Sequence, residues 1–96
     1  MKKWLFNDDP NVAVITTKNI LSRKMDITRV FHDSDDEMWQ FLDSSEDITE
    51  NDAVIVGLKE IVDLDKTINE LHTLPLGWSA YRDDKNSNWI TCNDEQ

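Results

Sequence analysis

Few side chains in this sequence could act as a base or a nucleophile. A nucleophilic triad needs a serine or cysteine beside a histidine that an acid orients. The two histidines are His32, at the end of a predicted strand, and His72, in a predicted helix, and neither lies in a nucleophile-elbow motif. Cys92 is the single cysteine, close to the C-terminus. We expect all three to be structural and predict no catalytic residue.

Metal and phosphate sites are also poorly supported. Residues 33–44 and 84–95 place acids at calcium-loop spacing, but the sixth position, where that loop bends at glycine, is Met38 in one and Trp89 in the other. Phosphate-binding loops need closely spaced glycines, and the two glycines lie twenty residues apart. A lone cysteine can build neither an internal disulfide nor a cysteine metal cluster. We therefore predict no metal and no cofactor.

Acidic residues are the most prominent chemical feature. The chain has 20 Asp and Glu against 10 Lys and Arg, a net charge of −10. Residues 33–52 hold nine acids and no base, whereas residues 18–29 hold four bases and one acid. Nucleic-acid binding needs clustered bases, so this balance disfavours it and favours a basic protein partner. Acids in loops also keep small proteins soluble, so both interpretations stay open.

Five of the nine acids lie in residues 43–52, which contain neither Gly nor Pro and are predicted to form a loop. Opposite charges accelerate the encounter of two proteins, so we expect this loop to attract a basic partner. The oligomeric state stays open. The predicted partner-binding residues are Asp43, Glu46, Asp47, Glu50 and Asp52.

Three strands are predicted before that loop. Residues 11–17 are rich in β-branched side chains, and residues 27–32 and 37–42 alternate between two faces. The Asp- and Ser-rich stretch between the last two strands favours a turn, so a hairpin is predicted.

Helical structure is predicted after a fourth strand at residues 53–57, because the apolar residues that follow recur at helical spacing. Asp63 and Asp65 can accept backbone N–H bonds at a fresh helix start, which predicts two pieces, residues 58–63 and 66–73. A single kinked helix is the alternative. Thr17 is likewise placed to cap a short helical turn after the first strand.

A helix-to-strand corner is predicted near the C-terminus. Proline cannot continue the helix, and the glycine two residues later supplies a turn conformation that other residues avoid. A hairpin of residues 78–82 and 89–92 follows, in which Trp78 and Trp89 are expected to meet. The residues with a predicted structural role are Trp39, Phe41, Pro75, Gly77 and Trp78.

These elements predict a single α+β domain of residues 1–96, with a mainly antiparallel sheet of about five to six strands and one or two helices on one face. The strand order stays open. Residues 1–10 form an N-terminal arm whose apolar patch of Trp4, Leu5 and Phe6 either docks on the domain or remains available to a partner, and residues 93–96 form a frayed tail. We expect no membrane span and no secretion signal, and the single cysteine favours a cytoplasmic location.

Two motifs carry a family resemblance. DEMWQFL occupies residues 36–42, and VGLKEIVDLDKTINELHTLPLGWSAYR occupies residues 56–82. In these motifs the chain resembles a bacterial immunity-protein domain of polymorphic-toxin systems, family thirty-three of that series, which is also described as a domain of unknown function. Members often carry proline after the aspartate that corresponds to Asp65, where this chain has Lys66.

The resemblance implies an intracellular bacterial protein that in some settings neutralises a toxin by binding it, and it implies no catalytic residue. Our hypothesis is therefore a non-enzymatic acidic interaction protein with a protein partner, possessing neither a nucleic-acid nor a membrane partner. The alternative is a small ligand-binding or enzymatic domain with a pocket at the helix-to-strand corner, near His72, Trp78 and Tyr81.

Overall fold

The computed structural model describes residues 4–95, so the first three residues of the predicted arm and Gln96 of the predicted tail lie outside the described residues. Within residues 4–95, six strands and three short helices confirm the α+β prediction. None of those helices has the length and apolar character that a membrane crossing requires. The strands are β1 (Ala13–Thr17), β2 (Arg29–His32), β3 (Trp39–Leu42), β4 (Ala53–Gly57), β5 (Trp78–Tyr81) and β6 (Ile90–Asn93); the helices are α1 (Lys18–Leu21), α2 (Leu58–Leu64) and the 3-10 helix Lys66–Leu71.

The six strands form one open sheet in the order β4-β1-β3-β2-β5-β6. β1 and β3 run parallel, and the other neighbouring pairs are antiparallel. The predicted hairpin of β2 and β3 is confirmed, with Phe31 opposite Gln40. Because β1 lies between β3 and β4, the acidic residues 43–52 pass the end of β1 to reach β4.

Two side-chain caps begin the helices where the sequence predicts. The Thr17 hydroxyl accepts a hydrogen bond from the Ile20 amide at 3.2 Å and begins α1. Asp65 is extended, with φ −145° and ψ 103°, and its carboxylate accepts the Thr67 amide at 3.0 Å to begin the 3-10 helix. The predicted break at Asp65 is therefore confirmed, and the single kinked helix is wrong.

One face of the sheet is covered by the helices and the N-terminal arm. Strand alternation turns Trp39 and Phe41 towards that face, which confirms their predicted structural role. The buried Phe6 ring lies 5.4 Å from the Trp39 ring, so the described part of the arm docks on the domain through Phe6. The core residues are Phe6, Val14, Ile20, Ile27, Val30, Trp39, Phe41, Leu58, Ile61, Val62, Ile68, Leu71, Leu74 and Ala80.

The predicted proline–glycine corner between helix and strand is confirmed. Gly77 has φ 82°, a left-handed conformation that strains other residues, and a Cβ there would strike the Glu95 side chain. Its amide donates to the His32 carbonyl at 2.7 Å, and its carbonyl accepts the Asp94 amide at 3.0 Å. Asn93 closes β6, one residue beyond the predicted strand, and the next two residues contact this corner.

The predicted contact between Trp78 and Trp89 is wrong. Trp78 begins β5 opposite Asn93, at the open end of the hairpin, whereas Trp89 precedes β6 at the turn end. The Arg82 guanidinium lies 4.1 Å from the centre of the Trp89 ring and holds it through a cation–π contact. Trp78 packs against the core, in agreement with its predicted structural role.

Candidate interaction surface

The acidic loop, residues 43–52, is anchored at its base by one buried acid. Asp43 is 1% exposed; its Oδ2 accepts the Thr17 hydroxyl at 2.7 Å and its Oδ1 accepts the Ser45 amide at 2.8 Å. Arg29 donates to the backbone carbonyls of Asp43 and Ser45 at 2.7 and 3.0 Å. The prediction that Asp43 binds a partner is wrong, because its carboxylate is enclosed and satisfied within the chain.

Replacing Asp43 with alanine is expected to lower the free energy of unfolding by about 1 to 3 kcal/mol, because the Thr17 hydroxyl and the Ser45 amide lose a buried acceptor. Burial alone would raise the pKa of Asp43, but hydrogen bonds from Ser45 and Thr17 outweigh it and keep the pKa below its ordinary value of 3.8. The stabilisation is therefore present above pH 3.8 and lost as the pH falls through the lower folded-state pKa. Urea unfolding across this range measures both effects; an unchanged midpoint at neutral pH would contradict the anchoring role.

Three other acids of the loop, Glu46, Asp47 and Glu50, are exposed. Asp52 is half-buried, and its Oδ2 accepts the Thr49 amide and hydroxyl at 3.0 and 3.1 Å. Within residues 4–95, none of these four acids forms an ion pair. Their negative charge is therefore not neutralised by a direct contact inside the described chain.

The acidic run of the sequence is divided between the two ends of the sheet. β3 runs from the hairpin loop to the acidic loop, so residues 33–38 and 43–52 lie at opposite ends. The hairpin end also receives Asp94 and Glu95, and the Glu95 carboxylate accepts the Ser34 hydroxyl at 2.8 Å. One acidic stretch of sequence thus makes two separate acidic surfaces.

The acidic loop shares its end of the sheet with the basic residues 18–28. The Lys18 amide donates to the Asp52 carbonyl at 2.9 Å, and the Ser45 Oγ lies 3.2 Å from the Met25 Sδ. The hairpin loop contains acids and no base. Positive charge therefore weakens the negative potential at the loop end more than at the hairpin end. The bases in question are Lys18, Arg23 and Lys24.

The helix-to-strand corner contains an open cleft of about 400 Å³, the corner cleft. His72 lines it, as the alternative hypothesis predicts, but the expected contributions of Trp78 and Tyr81 are wrong. Those two residues lie at opposite ends of β5 and, three positions apart, on opposite faces of the sheet. The walls are formed instead by Asn7, Asp8, His32, Glu37, Trp39 and residues 72–76.

Both histidines of the corner cleft have one ring nitrogen engaged. Because a carbonyl only accepts, the Nδ1–H of His32 donates to the Leu74 carbonyl at 2.8 Å and that of His72 donates to the Asn69 carbonyl at 2.9 Å. Their Nε2 atoms are acceptors in the neutral rings. The part of the chain that the structure describes contains no group of three or more His, Cys, Asp or Glu side chains arranged to hold a metal ion. The side chains that line the cleft can hydrogen-bond a polar group.

The face of the sheet opposite the core, which we call the open face, carries exposed and half-buried side chains over most of its area. Ile55, Tyr81 and Ile90 are 70%, 50% and 51% exposed there. The strand register arranges the face in two rows: Ile55, Ile15, Gln40, Phe31, Ser79 and Cys92 form one, and Leu42, Arg29, Tyr81 and Ile90 form the other. Each of these residues is exposed or half-buried.

The described geometry therefore offers the acidic loop, the open face and the corner cleft. The chain matches no protein-family model, no curated protein and no solved structure. Which of these three surfaces is proposed to bind a partner therefore depends on the charges and contacts of the chain itself.

The open face was not predicted from the sequence. Alternation in residues 27–32 separates Phe31 from Val30, but it does not tell which side meets the helices. The strand AVIVG is a continuous apolar run, which is typical of a strand buried on both faces, so Ile55 gave no sign of being exposed.

Proposed function

We propose that this chain is a non-enzymatic acidic interaction protein that binds a basic protein partner and, like the immunity proteins it resembles, neutralises a toxin in the bacterial cytoplasm. The observation that carries this proposal is the set of exposed loop acids, Glu46, Asp47 and Glu50, which form no ion pair within residues 4–95. Unneutralised charge on a small protein attracts an oppositely charged partner at long range.

The overall charge supports the same class of partner. A net charge of −10 repels phosphate backbones and anionic lipid surfaces, and it attracts basic proteins. Complementary potentials raise the association rate more than they raise the final affinity. Fast capture suits a protein that must bind a toxin before the toxin acts.

Capture followed by growth rescue tests the proposal. The tagged chain is used to capture proteins from the organism that encodes it, and the captured protein is expressed in a second bacterial host. That protein is expected to arrest growth, and coexpression of this chain is expected to restore growth. A captured protein that is harmless, or that stays toxic while bound, would refute neutralisation.

The double substitution Glu46→Lys and Glu50→Lys is expected to slow association with the captured protein by about tenfold or more at low salt, because it reverses charge where the acids are exposed. The difference should shrink as salt shortens the range of electrostatic attraction. Stopped-flow association kinetics at several ionic strengths measure both effects.

A matched control changes the net charge equally at another place. Glu60→Lys combined with Glu70→Lys alters two exposed glutamates on α2 and the 3-10 helix. This pair is expected to change the association rate by less than about twofold. Equal slowing by the two pairs would show that total charge alone matters and that the acidic loop is not the steering site.

A further inference from the structure

The open face joins apolar side chains from all six strands of the sheet. Its most exposed members are Ile55 on β4, Tyr81 on β5 and Ile90 on β6, and the half-buried Ile15 and Phe31 lie between them. The register places Tyr81 directly opposite Ile90, and Ile15 directly opposite Ile55. Leu42 of β3 adds a further apolar side chain. Single exposed apolar residues are ordinary, but a connected apolar area on a highly charged protein marks an interaction site.

Acids border the open face at the hairpin end. The Asp33 Oδ2 accepts the Gln40 side-chain amide at 2.6 Å, and the Asp94 Oδ1 accepts the Ser79 hydroxyl at 3.1 Å. Gln40 and Ser79 flank Phe31 in one row of the face, so both carboxylates lie at the edge of the face.

Acids border the opposite end as well. Glu46 of the acidic loop and Asp83, which follows β5, flank a shallow cleft of about 470 Å³ beside Tyr81. Arg29 also lies on this face, but its guanidinium donates to the Asp43 and Ser45 carbonyls. The apolar area is therefore framed by negative charge at both ends of the strands.

The strands alone are too small for a standard interface. Six strands spaced about 4.8 Å apart, with about 3.3 Å for each of four residues, cover roughly 24 by 13 Å. A standard protein–protein interface needs about 800 Å² on each partner. A protein that docks on the open face therefore also contacts the loops at its ends, where the acids lie.

We propose that the open face is the docking surface for the basic protein partner, with an apolar centre of the partner covering Ile55, Tyr81 and Ile90 and its Lys and Arg side chains meeting the acids at both ends. This inference rests on the proposed function and extends it by naming the surface. A second copy of the chain fits poorly. Whether two open faces met parallel or antiparallel, the acids at their ends would come together, and each chain carries a net charge of −10.

Two synthetic peptides separate the apolar contribution from the charge. The first has a centre of alternating valine and threonine with lysines at both ends, and the second carries the same lysines with serine in place of valine. Fluorescence anisotropy measures their affinities. Cys92, an exposed thiol on the open face, gives an independent readout, because docking should slow its alkylation by iodoacetamide.

Substitutions of exposed apolar residues on and away from the open face test the surface itself. The open-face variant combines Ile55→Thr, Tyr81→Thr and Ile90→Thr, since threonine favours strands and these side chains make little core contact. The control combines Leu5→Thr and Leu76→Thr, which are 41% and 40% exposed and lie outside the sheet. Circular dichroism and urea unfolding confirm that each variant is folded before binding is measured.

The valine peptide is expected to bind the native chain about tenfold more tightly than the serine peptide and to slow Cys92 alkylation. The open-face variant should bind it no better than the serine peptide, and the control variant should bind it as the native chain does. Three results would each overturn the inference. The native chain could bind the two peptides equally, or the open-face variant could bind the valine peptide as tightly as the native chain does. The third is a native dimer that the open-face variant alone fails to form. A toxin captured and neutralised equally well by the open-face variant would overturn the docking surface and leave the proposed function standing.

Discussion

Replacing Asp65 with alanine is expected to lower the free energy of unfolding by about 3 to 5 kcal/mol. Its Oδ2 lies 2.5 Å from the Arg82 Nη2, and the Arg82 side chain is 0% exposed. Arg82 also donates to the Ile27 carbonyl at 2.9 Å and the Thr67 hydroxyl at 2.8 Å. Without Asp65 the Arg82 guanidinium stays buried without a counter-charge. Removing one partner of a buried ion pair is strongly destabilising because the remaining charge is not compensated. Urea unfolding followed by tryptophan fluorescence measures the loss.

Two further variants separate the causes of that loss. Asp65→Asn keeps an oxygen that can accept the Thr67 amide but removes the charge, so it should recover only the capping contribution of about 1 kcal/mol. Arg82→Met keeps most of the buried volume and leaves an Asp65 side chain that water can reach, so it should cost less than Asp65→Ala. If Asp65→Ala cost no more than a lost cap, the ion pair would contribute nothing.

Lowering the pH should weaken the contact between Asp65 and Arg82. Burial alone would raise the pKa of Asp65, but hydrogen bonds from Thr67 and Arg82 outweigh it and hold the pKa below 3.8. Because the folded-state pKa is lowered, the stabilisation is complete above pH 3.8 and is lost as the pH falls through the folded-state value. The stability difference between the native chain and Asp65→Ala should therefore narrow only in that acidic range.

The parts of the fold that the sequence predicts are those determined by residues close together in the chain. The turn between β2 and β3, the caps at Thr17 and Asp65 and the corner at Gly77 each depend on neighbours in the chain, and the structure has all of them. Strand order depends on distant pairs, such as Ile15 with Gln40 across β1 and β3. Alternation of side chains shows that a strand has two faces, but it does not show which other strand pairs with it in the sheet.

Arg82 shows why burial of a charged residue is hard to predict from a pattern. Alternation with Ala80 directs its side chain to the core side just beyond the end of β5, but a guanidinium is buried only where a counter-charge meets it. Asp65 was predictable as a helix cap, whereas its contact with Arg82, 17 residues away, needs the folded chain. The same guanidinium explains the position of Trp89, because it lies over that ring.

The acidic loop was predictable from composition, but the exposure of each acid was not. Trp39 and Phe41 point into the core, and Asp43 continues that alternation beyond the end of β3, so its side chain turns inward to Thr17. This alternation is the signal that would have removed Asp43 from the predicted binding residues. Glu46 lies beyond the turn, where the strand periodicity no longer applies, and it is exposed.

Replacing Trp39 with alanine is expected to lower the free energy of unfolding by about 3 to 5 kcal/mol. Trp39 is buried, and three rings contact its indole: His32 stacks at 3.8 Å, Phe41 at 5.9 Å, and Phe6 meets it edge-on at 5.4 Å. Removing the indole would leave a cavity between the sheet and the N-terminal arm. Since small domains are stable by roughly 5 to 15 kcal/mol in total, a large share of the molecules should unfold at modest urea concentrations.

Trp39→Phe is the matched control, because it keeps an aromatic ring and loses the indole N–H that donates to the Asp8 Oδ1 at 3.3 Å. It should cost less than alanine does. Since Phe6 packs on the indole, Trp39→Ala should also increase hydrogen exchange around Phe6 more than in β6, at the far edge of the sheet. An alanine variant as stable as the native chain, with unchanged exchange in the arm, would show that Trp39 does not hold the arm and the sheet together.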